Sequence, residues 1–236
     1  VKRIFLIHGD KGGVGKTEAA KRTAAALQET GKQITLIDGD NKNPGLHAAF
    51  KSGDADVRCI NVMTPAGLDQ LFEAIAESPG DVLIDLPARG SDVMARLASG
   101  GASEDGFDLS ILTEELGAEL WIVFVIDQSR APVVALKDEL GSLPNSARWI
   151  IVKNHREERS FDLFDQSKVR QELEARGAPI IDMIRLDPAV CDIMENRALN
   201  LITARESDSL SMLQKIRAKS ALEAWTKEIR KAGILE

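Results

Sequence analysis

Tyrosine is missing altogether from the 236 residues, and Trp and Phe leave the aromatic content at 4%. Aromatics this sparse argue against a base-stacking platform for single-stranded nucleic acid. Only two cysteines occur, Cys59 and Cys191. They lie far apart and show no metal-like spacing, so neither a disulfide framework nor a zinc site is expected, and a reducing compartment is. Both thiols are expected in or near the core, where free cysteine is commonly found. The histidines, His8, His47 and His155, show no metal-ligand spacing either, and His8 is read as filling space at a strand end. No apolar run approaches the ~20 residues of a membrane span. The opening Lys2-Arg3-Ile4-Phe5-Leu6-Ile7-His8 already reads as a strand, so no signal peptide is expected and a cytoplasmic location is. A surplus of basic charge is also lacking. The net charge of −7 argues against wholesale wrapping of nucleic acid and leaves a local basic patch open.

What is present is an alternation of short apolar runs with amphipathic stretches, the pattern of an α/β protein. Strands are predicted at Ile4–His8, Gln33–Ile37, Val57–Asn61, Asp81–Asp85, Leu120–Ile126, Trp149–Val152 and Ile180–Ile184. Several are near-continuous Ile, Leu and Val, as strands covered on both faces require. Helices are predicted at Lys16–Thr30, Pro65–Glu77, Asp92–Ser99, Leu109–Leu116, Ala131–Leu140, Ser167–Arg176, Pro188–Asn196 and Ser209–Lys231. Trp121 and Trp149 fall in strands and are assigned to the core. Ser99–Asp108 reads as a surface loop and Arg156–Ser167 as a polar excursion too charged for the core. The fold class expected is a doubly wound, mostly parallel sheet of seven or eight strands with helices on both faces. It forms one domain over residues 1–236.

The chemistry concentrates after the first strand, in Gly9-Asp10-Lys11-Gly12-Gly13-Val14-Gly15-Lys16-Thr17. A phosphate loop asks for Gly, four residues, then Gly-Lys-Ser/Thr. Counting back from Gly15 puts Asp10 where glycine is usual, and Gly9 lies one residue too early. The context nevertheless fits, with an apolar strand before and an Ala-rich helix after. Gly12, Gly13 and Gly15 let the backbone curl so that successive N–H groups face one anion, and the helix N-terminus at Lys16 aims its positive dipole end there. Lys16 supplies a point charge for the β- and γ-phosphates, and Thr17 a hydroxyl for Mg2+. The nucleotide-binding run thus spans Asp10, Lys11, Gly12, Gly13, Val14, Gly15, Lys16, Thr17 and Glu18.

Lys11-Gly12-Gly13-Val14-Gly15-Lys16-Thr17 resembles the deviant Walker A motif of the ParA/MinD family of ATPases. In that family the position of Asp10 varies, and Lys11 matches the signature lysine. The resemblance implies a homodimer sandwiching two ATP molecules, with Lys11 and Lys16 catalytic and Lys11 reaching the partner's phosphates. Docking would then depend on ATP, because the lysine favours closure only when phosphate faces it. Asp38-Gly39-Asp40 ends a strand where ligands bind in open α/β sheets. It matches the family's Asp-x-Asp element, which makes Asp40 the residue orienting the attacking water and gives Asp38 an ion-shell or loop-supporting role. Asn41, Asn43 and Pro44 would belong to the switch sensing the γ-phosphate. Asp85-Leu86-Pro87 resembles the Walker B segment, with Asp85 holding Mg2+ through water, and Arg89, Gly90 and Ser91 follow as a second switch. Asn154 matches a strand-end asparagine whose amide bonds a purine edge, and Leu186 and Asp187 align with a second base-contacting loop.

The same resemblance implies slow hydrolysis completed by a protein activator, in plasmid or chromosome partition, plasmid maintenance or transfer, or intracellular positioning. A plasmid mobilisation or stability accessory ATPase is the favoured branch. Leu210, Leu213, Ile216, Leu222, Trp225 and Ile229 follow helical spacing, with lysines and arginines on the other faces. Packing on the protein's own sheet is favoured over membrane binding, and non-specific DNA binding by these basic residues stays open. Two other classes remain: an ATP-dependent amidating or carboxylating synthetase, against which Lys11 counts, and a binding module that uses ATP only to fix a dimer. Nitrogenase iron proteins and arsenite or tail-anchored-protein targeting ATPases share the motif, but Cys59 and Cys191 fit neither.

Overall fold

Among the described residues, seven parallel strands form one sheet, most of them from apolar runs: β1 (Arg3–His8), β2 (Ile34–Asp38), β3 (Asp56–Cys59), β4 (Asp81–Asp85), β5 (Glu119–Ile126), β6 (Arg148–His155) and β7 (Ile180–Ile184). The computed structural model describes residues 1–9, 11–88, 90–99, 109–141 and 146–235. The strand order is β3-β2-β4-β1-β5-β6-β7, so β1 lies in the middle. The chain moves from β1 to one side and later crosses to the other, and ligands of such sheets bind at the carboxyl ends beside that reversal.

Period-two alternation sends each strand's side chains to two separate cores. Phe5, Ile7, Val123 and Val125 join one with α1 (Lys16–Glu29), α2 (Gly45–Phe50), α9 (Pro188–Asn196), α10 (Leu201–Ala204) and α11 (Met212–Lys231). Ile4, Leu6, Ile122 and Phe124 join the other with α3 (Pro65–Glu77), α4 (Gly90–Ser99), α5 (Leu109–Glu115), α6 (Arg130–Leu140), α7 (Asp162–Asp165) and α8 (Lys168–Ala175). Each fully buried Ile, Leu or Phe contributes about 1.5–3 kcal/mol. On α1 the buried face is mostly alanine, which lets the helix that carries the P-loop sit close to the sheet. Trp121, Trp149 and Trp225 are buried.

The expected doubly wound sheet is present, with seven strands among the described residues, all parallel. Several other expectations need correction. Residues 45–50, 162–165 and 201–204 form short helices beyond those expected, because fewer than two turns give no periodic signal. The segment after β6 is not merely a polar excursion, since Phe161 and Phe164 are buried and anchor it. Strand β6 continues to His155, so Asn154 lies within it. Cys59 is exposed, on the sheet-edge strand β3, whereas Cys191 is half-buried as expected. Helix α11 starts at Met212, with a capping box between Ser211 and Gln214. It buries Ala218, Leu222, Trp225 and Ile229, whereas Leu213 and Ile216 are exposed although the spacing assigned them to its apolar face. No helix among the described residues is long and apolar enough to cross a membrane. The loop expected after Ser99 lies outside the described residues, as do Asp10 and Arg89.

Candidate functional site

The P-loop joins β1 to α1 at the carboxyl end of the central strand. Gly15 is the N-cap of α1 with φ +105°, a left-handed value that disfavours any side chain. Space forbids one as well, since a Cβ there would stand 2.3 Å from Nδ2 of Asn154. Val14 is fully buried and Lys16 nearly so, while Gly12 and Gly13 face solvent. Lys16 Nζ donates to the Lys11 carbonyl at 3.3 Å, which directs its charge into the loop. Glu18 is engaged by the buried Arg22 at 2.6 Å, and Arg22 also donates to the Ile184 carbonyl.

Lys11 extends from the loop to the end of β5. Its Nζ lies 2.9 Å from Asp127 Oδ2 and 3.2 Å from Ser129 Oγ. Burial raises the Asp127 pKa, but the Ser129 hydroxyl, the Lys11 ammonium and the Ser129 N–H together outweigh it, and the net shift is downward. A carboxylate thus stays charged beneath Lys11. Sequence reasoning passed over Asp127, although it directly follows the last residue of β5, at the same sheet edge where Asp38 and Asp85 end their strands.

Those two acids stand side by side in the register of β2 and β4. Between them Gly39 donates its N–H to the Asp85 carbonyl at 2.9 Å, and a Cβ on Gly39 would meet that same oxygen at 2.8 Å. Asp38 Oδ2 accepts from the His47 N–H at 2.9 Å and Oδ1 from the Asp40 N–H at 3.1 Å, so its carboxylate ties down the turn and the start of α2. Burial is the main reason its pKa is raised; backbone donors oppose the shift and Asp40 adds to it. Asp40 Oδ1 accepts from the N–H groups of Lys42 and Asn43, which shapes the loop holding Asn41 and Pro44. Asp85 is 2% exposed and its pKa is pushed up to about 7, by burial first, with Asp38 adding and the Thr17 hydroxyl, Lys16 and Lys21 opposing. Its Oδ1 is buried without a hydrogen-bond partner. An unpaired carboxylate oxygen beside a threonine hydroxyl is the donor set expected of Mg2+, which takes one or two protein oxygens and completes its shell with water and phosphate. The residues present therefore fit the ion.

Behind the second candidate switch lies a buried cluster. His8 Nε2 is 2.7 Å from Glu139 Oε1, and the Ser91 hydroxyl donates to the same oxygen at 2.6 Å. His8 thus does more than fill a strand end: it joins β1 to α6 and, through Glu139, to the start of α4.

Asn154 turns toward the P-loop, its Nδ2 donating to the Val14 carbonyl at 2.8 Å. Two residues on, Arg156 Nη1 donates to the Gly13 carbonyl at 2.5 Å. No sequence signal pointed to Arg156. Leu186 is buried in the α1/α11 core. Asp187 caps α9 through the Ala189 N–H and pairs with Arg217. Both residues line a cavity of about 510 Å³ together with Arg22, Ile184, Ile216 and Trp225.

Residues 5–200 match the family described as the CobQ/CobB/MinD/ParA nucleotide binding domain. Protein MobD of Acidithiobacillus ferrooxidans is 30% identical over 205 residues, covering 86% of each chain. In fold, the chain is similar to the cell division ATPase MinD of Pyrococcus furiosus, with TM-score 0.57, 17% identity, and 98% of this chain and 99% of that one covered. The septum site-determining protein MinD of Pyrococcus horikoshii, solved with Mg-ADP, gives the same TM-score and identity and covers 100% and 99%. The chain belongs to the CobQ/CobB/MinD/ParA family of nucleotide-binding domains.

Proposed function

We propose that this chain is a single-domain, ATP-dependent dimer switch that hydrolyses ATP slowly and acts in plasmid mobilisation or maintenance, in partition, or in intracellular positioning. The observation that carries the reading is the second loop lysine. Lys11 is not needed to build a phosphate cradle, yet it stands beside one on a buried carboxylate, with 40% of its side chain exposed to solvent. Relatedness to MobD over most of both chains supports the mobilisation or stability branch.

In this reading the P-loop N–H groups from Lys11 to Thr17, with Asp10 and Glu18 flanking, receive the phosphates, and Lys16 neutralises them. Lys11 leaves Asp127 for the phosphate of the second subunit, and Asp40 orients the attacking water. Thr17 and Asp85 would hold Mg2+, which supplies charge neutralisation on the phosphate oxygens; Asp38 supports the loop. Asn154, Leu186 and Asp187 are assigned to the adenine end. A protein activator completes the site, and paired basic surfaces of the dimer contact DNA non-specifically.

Sizing in the presence of ATP, for the wild type and Asp40→Ala, is the test. An ATP-dependent dimer that accumulates in the variant, where hydrolysis no longer releases it, supports the switch. A constant monomer that turns over ATP only when a carboxylate metabolite is added would sink it and favour a synthetase.

A further inference from the structure

A loop that offers its N–H groups to an anion must dispose of its carbonyls on the other side. In this P-loop the partners of four carbonyls can be named. The Lys11 carbonyl accepts from Lys16 Nζ, and from the Val14 N–H at 3.4 Å. The Gly15 carbonyl accepts from the Ala19 N–H at 3.0 Å, the first bond of α1. Of the three carbonyls between them, those of Gly13 and Val14 are held from outside by a single chain segment: Asn154 takes Val14 and Arg156 takes Gly13.

Asn154 is in β6 and Arg156 lies one residue past its end. Both face the loop, while His155 between them turns away to Asp182 and Phe161. The Arg156 backbone is itself fixed. Its N–H donates to the Asn154 carbonyl at 2.9 Å, and the next residue's carbonyl accepts from Gln128 Nε2 at 3.0 Å. Gln128 adjoins Asp127, so one rigid corner holds both Lys11 and Arg156.

We infer that Arg156 is a positioning residue for phosphate binding, acting through the Gly13–Val14 peptide; this rests on the nucleotide reading above. In a trans peptide the carbonyl and the following N–H point opposite ways. Drawing the Gly13 oxygen outward therefore turns the Val14 N–H inward, where its 3.4 Å contact with Lys11 is easily exchanged for a phosphate oxygen. A charged donor also polarises that peptide more than a neutral one does. The neighbouring Asn154 bond does the same for the Gly15 N–H. At Gly13, φ is +74°, a conformation that glycine adopts but does not enforce, so an external hold is useful there.

The test is calorimetric binding of Mg-ADP, Mg-ATP and adenosine to the wild type, Arg156→Ala and Arg156→Lys. The alanine variant should lose roughly five- to tenfold in affinity for both nucleotides, with adenosine binding and thermal midpoint unchanged, and the lysine variant should recover most of the loss. In turnover, KM should rise while kcat stays within about twofold. Unchanged nucleotide affinity in Arg156→Ala overturns the inference alone, since the wild type still binds. An equal loss for adenosine, or a loss accompanied by a lowered thermal midpoint, assigns Arg156 a merely structural task and also overturns it. A wild type that binds neither nucleotide overturns the nucleotide reading, and this inference with it.

Discussion

Lys11 and Asp127 form an ion pair at 2.9 Å, with the lysine 40% exposed and the carboxylate 5% exposed. The buried partner cannot follow the lysine outward, so in the proposed dimer Lys11 would have to leave Asp127 for a phosphate presented by a second chain. The contact would then compete with the dimer, and its strength would set how much ATP-driven docking has to overcome.

Removing the competitor should therefore favour docking. Asp127→Asn keeps the shape and removes the charge, and the ATP-dependent dimer should form at a several-fold lower protein concentration. Lys11→Ala should abolish that dimer while ATP still binds to the monomer. Analytical ultracentrifugation with ATP and with ADP reads both outcomes.

Asp85 gives a pH dependence with a definite sign. Its pKa rises from 3.8 unfolded to about 7 folded, so between those values the native state holds a proton that the unfolded chain has lost. The stability of the nucleotide-free protein therefore falls as pH rises through that window and levels off above it; the raised Asp38 acts in the same direction. Asp85→Asn should flatten the profile and raise the thermal midpoint at pH 8 by a few degrees, where about 1 kcal/mol corresponds to roughly 2–4 °C. Mg-ATP affinity should show the opposite trend, strengthening as the carboxylate ionises. Thermal scans and titrations from pH 5 to 8 check both.

Glu139 links α6 to β1 and α4 through His8 and Ser91. Glu139→Ala strips partners from the buried His8 and from Ser91 and should cost about 2–4 kcal/mol in urea unfolding. Glu139→Gln keeps both bonds possible and should cost less than half of that. Equal losses would mean that the hydrogen bonds are unimportant beside the charge.

Gly15→Ala should fail twice, through backbone strain at φ +105° and through the clash with Asn154. The expected stability loss is about 1–3 kcal/mol, with nucleotide binding reduced more than tenfold. Adding Asn154→Ala relieves the clash and leaves the strain, so the double variant should recover only part of the stability.

The strands were readable because a strand covered on both faces must be apolar throughout, and no other short element needs that composition. β4 and β7 fall where the apolar runs lie, to the residue. The P-loop was equally readable, since Gly12, Gly13, Gly15, Lys16 and Thr17 act within one continuous turn whose chemistry is local. Asp38, Asp40 and Asp85 were legible as acids at strand ends, a position that the fold class by itself brings to the ligand edge.

Whatever depends on two distant segments meeting was decided by the tertiary structure. Nothing near Lys11 names Asp127 as its partner, 116 residues away, and Arg156 reaches Gly13 across 143. The need for glycine at 39 comes from the Asp85 carbonyl across the sheet. Leu213 and Ile216 fit a helical apolar stripe, yet only the docking of α11 determined that the stripe is buried from Ala218 onward. Local backbone chemistry wrote the phosphate loop into the sequence. The pairing of its lysine and the setting of its carbonyls exist only once β5 and β6 close around it, because a contact between remote residues leaves no mark on either neighbourhood alone.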